Sequence, residues 1–204
     1  ESNTDEEVKL GIIPTGTGND LVRTLNIPED IKRCFEIIKN GCTKKIDLGK
    51  VDGDYFLNVV GMGFDAAVAE EINRNVTFLN GTAAYLYGVF KMLFKYKSQK
   101  MRIQIDDKVF RGRYFLIAVA NGKYFGGGLK IAPEADLTDG YFDICLIREV
   151  KQMEVLKVLP SVFTGNHVNH PAVEFYRGKK VLIESDERVL VQADGELKGI
   201  LPMY

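Results

Sequence analysis

Three short stretches carry residue types and spacings that could do chemistry. The first is Ile13-Pro14-Thr15-Gly16-Thr17-Gly18-Asn19-Asp20. Its two glycines let the backbone come close to an anion. A helix starting behind them would add unpaired N–H groups and a positive dipole end. It is neither a P-loop nor a dinucleotide fingerprint, because the Lys and the third Gly are missing. Taken alone, a tight turn between a strand and a helix explains it as well. The second stretch is Gly126-Gly127-Gly128, followed by Ala132-Pro133 and then Leu137-Thr138-Asp139-Gly140-Tyr141-Phe142-Asp143. An Asp-rich turn can hold a hard cation through one carboxylate and backbone carbonyls, although a hairpin turn with a solvated Asp reads the same way. The third is Val191-Gln192-Ala193-Asp194-Gly195-Glu196. Two carboxylates at i and i+2 share a side of an extended segment, which suits a general base beside a metal-facing group. An ordinary acidic turn is the plainer alternative.

Two other groups of residues invite chemistry less strongly. His167 and His170 are spaced i, i+3, but no Cys or acidic partner follows at ligand spacing and Pro171 interrupts the segment, so they read as loop or packing residues. Tyr85, Leu86, Val89, Phe90, Leu93 and Phe94 mix with Lys91, Lys95, Lys97 and Lys100. That pattern is an amphipathic helix packed on a sheet. The sharper reading is a basic, aromatic surface facing anionic lipid headgroups.

The elements that must position these residues follow from pattern. Residues 1–8 read as a loose tail. Lys9 to Pro14 is a short apolar run. Asn19 is placed to cap a helix beginning at Asp20, with Leu21, Val22 and Leu25 on one side and Pro28 closing it. Ile31 to Asn40 reads as a second helix, with Ile31, Phe35 and Ile38 facing inward and Gly41 as its stop. Strands are expected at Lys45–Val51, Tyr55–Val60, Lys100–Asp106, Phe110–Asn121, Tyr141–Arg148 and Lys179–Ser185, all rich in β-branched and aromatic residues. Asp52-Gly53 and Asp106-Asp107 are hairpin signals. Phe64–Arg74, Ala83–Tyr96 and Gln152–Phe163 read as helices. Strands in series with few helices between them argue for an antiparallel sandwich or barrel with helical additions.

Composition narrows the function classes. The 204 residues are 46% hydrophobic, enough to bury a sizeable core. Lys and Arg total 27 against 28 Asp and Glu, a net charge of -1. That balance argues against general nucleic-acid binding, which needs a basic surplus. Cys34, Cys42 and Cys145 form no CxxC pair and read as reduced thiols of a cytoplasmic protein. No apolar run approaches the roughly 20 residues of a membrane span, and the acidic, polar start offers no signal peptide. Any membrane contact is therefore expected to be peripheral.

Taken in order, the motifs are more specific than any one of them. Gly-Ile-Ile-Pro-x-Gly-Thr-Gly-Asn-Asp-x-x-Arg-x-Leu-x-Ile-Pro is followed by Ile46-Asp47-Leu48-Gly49, Phe56-Leu57-Asn58-Val59 and Gly61-Met62-Gly63-Phe64-Asp65-Ala66. Val119-Ala120-Asn121-Gly122, the triple glycine, the Asp-Gly turn, Gly165-Asn166-His167 and Gln192-Ala193-Asp194-Gly195-Glu196 complete the series. Over about residues 10–200 this resembles the bacterial diacylglycerol kinase and related lipid kinase family.

The resemblance implies a two-domain protein with the active site between an α/β half and a β-sandwich half. The family's Gly-Gly-Asp-Gly-Thr nucleotide loop is absent from this sequence. Residues 1–44 are therefore expected to be a remnant of the α/β domain, and 45–204 the β-sandwich domain, giving an α+β, β-rich class overall. By resemblance, Thr17 contacts ATP, with Gly16, Gly18 and Asn19 in the same loop. Glu196 accepts the proton of the lipid hydroxyl, and Asp194 is a second essential carboxylate. A structural Mg²⁺ would sit on the Asp139 side chain and the carbonyls of Asp136 and Tyr141. Asp20, Arg23 and Asp47 would link that metal to the reacting centre. The implied activity is ATP-dependent phosphorylation of a lipid hydroxyl at a membrane surface, most directly diacylglycerol to phosphatidic acid. A homodimer is left open. Two other classes are carried alongside: a kinase acting on another lipid or on NAD, and a non-catalytic lipid-binding module.

Overall fold

The computed structural model describes residues 9–75 and 81–202. The expected tail over 1–8 lies outside them. Among the described residues the class is α+β, with ten strands and five α-helices. The strands are β1 (Gly49–Val51), β2 (Asp54–Phe56), β3 (Val59–Gly63), β4 (Gln99–Ile105), β5 (Lys108–Ala120), β6 (Phe142–Arg148), β7 (Val173–Gly178), β8 (Val181–Glu184), β9 (Leu190–Ala193) and β10 (Glu196–Ile200). The helices are α1 (Asp20–Leu25), α2 (Ile31–Lys39), α3 (Phe64–Asn75), α4 (Gly81–Leu93) and α5 (Gln152–Thr164).

β1 and β2 form a hairpin of their own, turned at Asp52-Gly53. The other eight strands form one antiparallel sheet in the order β10-β9-β3-β5-β4-β8, with β6 also on β5 and β7 on β6. The thirteen-residue β5 organises it. Residues up to Tyr114 pair with β4, while Leu116–Ala120 pair with β3 on one side and β6 on the other, beyond a register shift between Tyr114 and Leu116. All pairings are antiparallel, as the series of hairpin signals requires.

Side-chain alternation then divides the apolar residues between two cores. Val60 and Met62 of β3, Ile117 and Val119 of β5, and Ile144 and Leu146 of β6 enter one core. Their neighbours Val59, Leu116, Ala118, Ala120 and Cys145 face the other, against Phe64 and Val68 of α3 and Tyr85, Val89 and Leu93 of α4. Ile103, Ile117, Ile144 and Leu146 are fully buried, each worth roughly 1.5–3 kcal/mol of apolar burial.

Four expectations need correction. The single strand expected over 55–60 is two strands, because the N–H groups of Leu57, Asn58 and Val59 turn to the Asp194 carboxylate instead of a neighbouring strand. The strand expected from Lys45 begins only at Gly49. Asn19 precedes α1 in the left-handed region (φ 51°) and makes no side-chain cap hydrogen bond. Finally, α2 buries only Cys34; Ile31, Phe35 and Ile38 remain exposed, with Ile38 lying against Gly11. Asp30 caps α2, accepting from the N–H of Lys32 at 2.8 Å.

Candidate active site

The first and third motifs meet at a cleft of about 740 Å³. Thr17, Gly18, Asn19 and Asp20 form one wall, Gln192, Asp194 and Gly195 another, and Gly126 and Gly127 a third; Asp65 and Tyr85 also line it.

Local hydrogen bonds fix each wall. The Arg23 guanidinium donates to the Gly18 carbonyl and, at 3.1 Å, to Asp20 Oδ1. Asp20 Oδ2 accepts from the Gly127 N–H at 2.9 Å, and Thr24 Oγ1 accepts from the Lys123 N–H at 3.1 Å. Thus α1 is tied to the triple-glycine loop. Burial pushes the Asp20 carboxyl above the usual carboxylate range, against the opposing pull of the Gly127 amide and Arg23.

Asp194 and Gly195 are the two-residue turn between β9 and β10. Ala193 pairs with Glu196 across it, and both turn residues have positive φ (50° and 90°), which is the hairpin preference of an Asp-Gly pair. The two carboxylates therefore do not sit on one extended segment, as the i, i+2 spacing suggested. The Asp194 carboxylate accepts three backbone N–H bonds, from Leu57 at 2.7 Å, Asn58 at 3.0 Å and Val59 at 2.9 Å. Glu196 points to solvent with its side chain 79% exposed, 3.4 Å from Lys198 Nζ. It stands beside the cleft instead of lining it.

The second motif lies elsewhere. Asp139 Oδ1 accepts from the Tyr141 N–H at 2.9 Å, and Oδ2 pairs with Arg177. Asp136 Oδ1 accepts from the Thr138 N–H at 3.0 Å and from its hydroxyl at 2.7 Å, which holds the Asp136 carboxyl below the usual range. Asp47 is joined to this turn, accepting the Gly140 N–H at 2.7 Å. Arg177 on Asp139 Oδ2 would compete with a hard cation for that oxygen. Among the described residues there is no cluster of three or more His, Cys, Asp or Glu side chains able to hold a metal.

The two histidines serve the fold. Buried His167 contacts the Ile131 carbonyl through Nε2 at 3.1 Å, and burial lowers its pKa toward the neutral ring. His170 accepts the Ala172 N–H and lies 3.1 Å from Glu154. On α4, Tyr85, Val89 and Leu93 are buried, while Phe90 is exposed and Lys91 pairs with Glu71 at 2.5 Å. No helix among the described residues is long and apolar enough to cross a membrane.

Asp65 is the lining residue to which spacing alone gives no role. It is 2% exposed, accepting Gln192 Nε2 at 2.6 Å and the Tyr85 hydroxyl at 3.2 Å. Burial lifts its carboxyl to about 6, against the pull of those two donors, and burial together with the adjacent Asp65 pushes the Tyr85 hydroxyl far up. A signal for it exists in the sequence: an Asp directly after Gly-x-Gly-Phe sits where a strand becomes a helix beneath an apolar sheet.

Comparison with known proteins fits this arrangement. Residues 58–204 match the family model described as the YegS C-terminal NAD kinase beta sandwich-like domain, and residues 2–51 match the diacylglycerol kinase catalytic domain. The chain is 32% identical over 199 residues to a diacylglycerol kinase of Bacillus subtilis (strain 168), covering 97% of this chain and 66% of that protein. It is 34% identical over 194 residues to one from Staphylococcus epidermidis, covering 95% and 61%. A solved structure from Bacillus anthracis str. Sterne superposes with a TM-score of 0.74 at 26% identity, over 95% of this chain and 64% of its own. The chain thus spans less than two thirds of the length of the relatives it matches. Since the first of these matches takes in well over half of the sequence, the chain belongs to the family of the YegS C-terminal NAD kinase beta sandwich-like domain.

Proposed function

We propose that this chain is part of an ATP-dependent lipid kinase that moves the γ-phosphoryl group onto a lipid hydroxyl, with diacylglycerol as substrate and phosphatidic acid as product. The observation that carries this reading is the cleft itself, where the Thr17-Gly18-Asn19-Asp20 loop faces the Asp194-Gly195 turn across a buried carboxylate. The names of the two curated relatives described above, both diacylglycerol kinases, support the same substrate class.

In this reading, Gly16, Thr17, Gly18 and Asn19 receive the nucleotide. Residues 1–44 belong to the α/β half and 45–204 to the sandwich half. The exposed Ile31, Phe35 and Ile38 face of α2 packs against the rest of the α/β half. Glu196 accepts the proton of the lipid hydroxyl as the phosphoryl group leaves ATP. Its exposure suits a group that meets a substrate presented from a membrane surface. Asp194 holds the turn by its three amide bonds, and Asp20 and Arg23 hold the nucleotide loop. When bound with ATP, Mg²⁺ would supply charge neutralisation at the phosphates, with the Asp139 side chain and the carbonyls of Asp136 and Tyr141 as the candidate structural cation site; positioning by the loop and the turn does most of the remaining work. The exposed Phe90 and Phe94, with the lysines after them, form the peripheral membrane contact of a cytoplasmic enzyme.

The test is phosphoryl transfer by the intact protein that carries this chain. With γ-labelled ATP, diacylglycerol and NAD are offered separately and products are separated by thin-layer chromatography. Labelled phosphatidic acid supports the reading. Labelled NADP, or vesicle binding without ATP binding, replaces it.

A further inference from the structure

A relay of hydrogen bonds runs beneath the cleft. The Tyr85 hydroxyl donates to Asp65 Oδ1, Gln192 Nε2 donates to Asp65 Oδ2 at 2.6 Å, and Gln192 Oε1 accepts the Gly195 N–H at 2.7 Å. Gly195 is the second residue of the turn that presents Glu196. A carboxamide has two distinguishable ends, and only one orientation makes both contacts of Gln192. In the flipped orientation the amide NH₂ would face the Gly195 N–H, and the carbonyl would face a carboxylate. An acceptor-only group at position 65 therefore sets which way Gln192 points.

The backbone is shaped around this pair. Gly61 of β3 lies opposite Gln192 of β9 in register. A Cβ added there would fall 1.9 Å from Asp65 Oδ2 and 2.6 Å from Gln192 Nε2. Only glycine leaves room for the contact. Asp65 and Gln192 are both nearly fully buried, so neither orientation is set by bulk water.

We propose that Asp65 is a positioning residue: it locks the Gln192 carboxamide so that Gln192 fixes the Gly195 amide and, through it, the turn carrying Glu196. The consequence for turnover rests on the lipid kinase reading; the locking of Gly195 does not.

Exchanging donor and acceptor tests it. In Gln192→Glu, two carboxylates meet where a 2.6 Å bond stood and hold one proton between them. The other ionisable groups at this cleft are Tyr85 of α4, Asp20 of α1 with its partner Arg23, and Asp194. None lies where it would neutralise a second negative charge, so kcat of this variant falls as pH rises through neutrality. By about pH 8 it lies roughly 10- to 100-fold below wild type, the scale of a misplaced catalytic group, with the KM for ATP unchanged. Adding Asp65→Asn supplies a donor to the introduced carboxylate, restores kcat toward wild type and removes the fall above neutrality. A double variant as poor as Gln192→Glu overturns the proposal.

Amide hydrogen exchange at Gly195 gives a readout independent of activity. Exchange quickens in Asp65→Leu and in Gln192→Glu at high pH, and slows again in the double variant. Unchanged exchange in all three overturns the proposal. If the intact protein phosphorylates no lipid, the functional reading fails while Gly195 exchange still decides this one. Should Asp65→Leu not fold, the near-isosteric pair of Gln192→Glu and its double variant with Asp65→Asn decides it.

Discussion

Replacing Asp65 by Asn should make the protein more stable at neutral pH. Its carboxyl rises from 3.8 to about 6 on folding, with burial as the chief cause. A raised carboxylate pKa means the folded state holds the proton more tightly than the unfolded state. Native stability therefore carries no penalty below about pH 4, loses ground as pH climbs, and carries the full penalty above about pH 6. At about 1.4 kcal/mol per tenfold change in affinity, the full penalty is about 3 kcal/mol. At about pH 4.5 the same relation leaves about 1 kcal/mol. Asn has the same shape and no charge, so it removes the penalty while keeping one acceptor for Gln192. Guanidinium unfolding of wild type and Asp65→Asn at about pH 4.5 and pH 8 reads the gap directly. The variant should lead by about 1 and about 3 kcal/mol, which for a chain of this size is roughly 2–4 °C in Tm per kcal/mol. A gap independent of pH, or a variant less stable than wild type at pH 8, would refute the argument.

Three further outcomes follow from the geometry. Asp194→Asn sets a donor against one of three backbone N–H groups and should cost roughly 1–3 kcal/mol in chemical unfolding; an unchanged midpoint removes Asp194 as the anchor of Leu57–Val59. Arg177→Gln frees the Asp139 carboxylate, so millimolar Mg²⁺ should raise the Tm of the variant more than that of wild type in scanning fluorimetry; equal shifts strike the Asp136–Tyr141 turn out as a cation site. Phe90→Asp should weaken co-sedimentation with anionic vesicles without lowering Tm, because Phe90 is exposed on α4; normal sedimentation assigns the membrane contact to another surface.

Much of the scaffold can be read from residue patterns because it is written locally. Asp52-Gly53 and Asp106-Asp107 mark hairpins, and alternation in Phe110–Asn121 places Ile117 and Val119 opposite Leu116 and Ala118. β9 and β10 are too short to stand out by pattern, and Asp194-Gly195, a hairpin dipeptide like Asp52-Gly53, passes for extended chain when only the carboxylate spacing is weighed. The outward face of α2 has a different cause: periodicity tells that Ile31, Phe35 and Ile38 share a side, but not what covers it. Within the site, the motif residues Thr17 to Asp20 and Asp194 do converge. Asp65 stands in a recognisable Gly-x-Gly-Phe-Asp run, but its role lies in a contact with Gln192, 127 positions away, and in its burial, neither of which local spacing encodes. Glu196 takes its role from the resemblance and from carboxylate chemistry, and its exposure depends on the turn, which neither encodes.

In the proposed reaction the Asp194-Gly195 turn presents Glu196 as proton acceptor to a lipid hydroxyl. Steady-state kinetics of the intact protein on diacylglycerol in mixed micelles, comparing wild type with Glu196→Gln, tests it most directly. Gln keeps the size of the side chain at an exposed position, so the fold is retained. The expected outcome is a kcat lower by at least about 10²-fold, the lower range for a positioned general base, and a KM for ATP that barely moves. A Glu196→Gln enzyme within about threefold of wild type would contradict it, since a positioned base contributes far more than that.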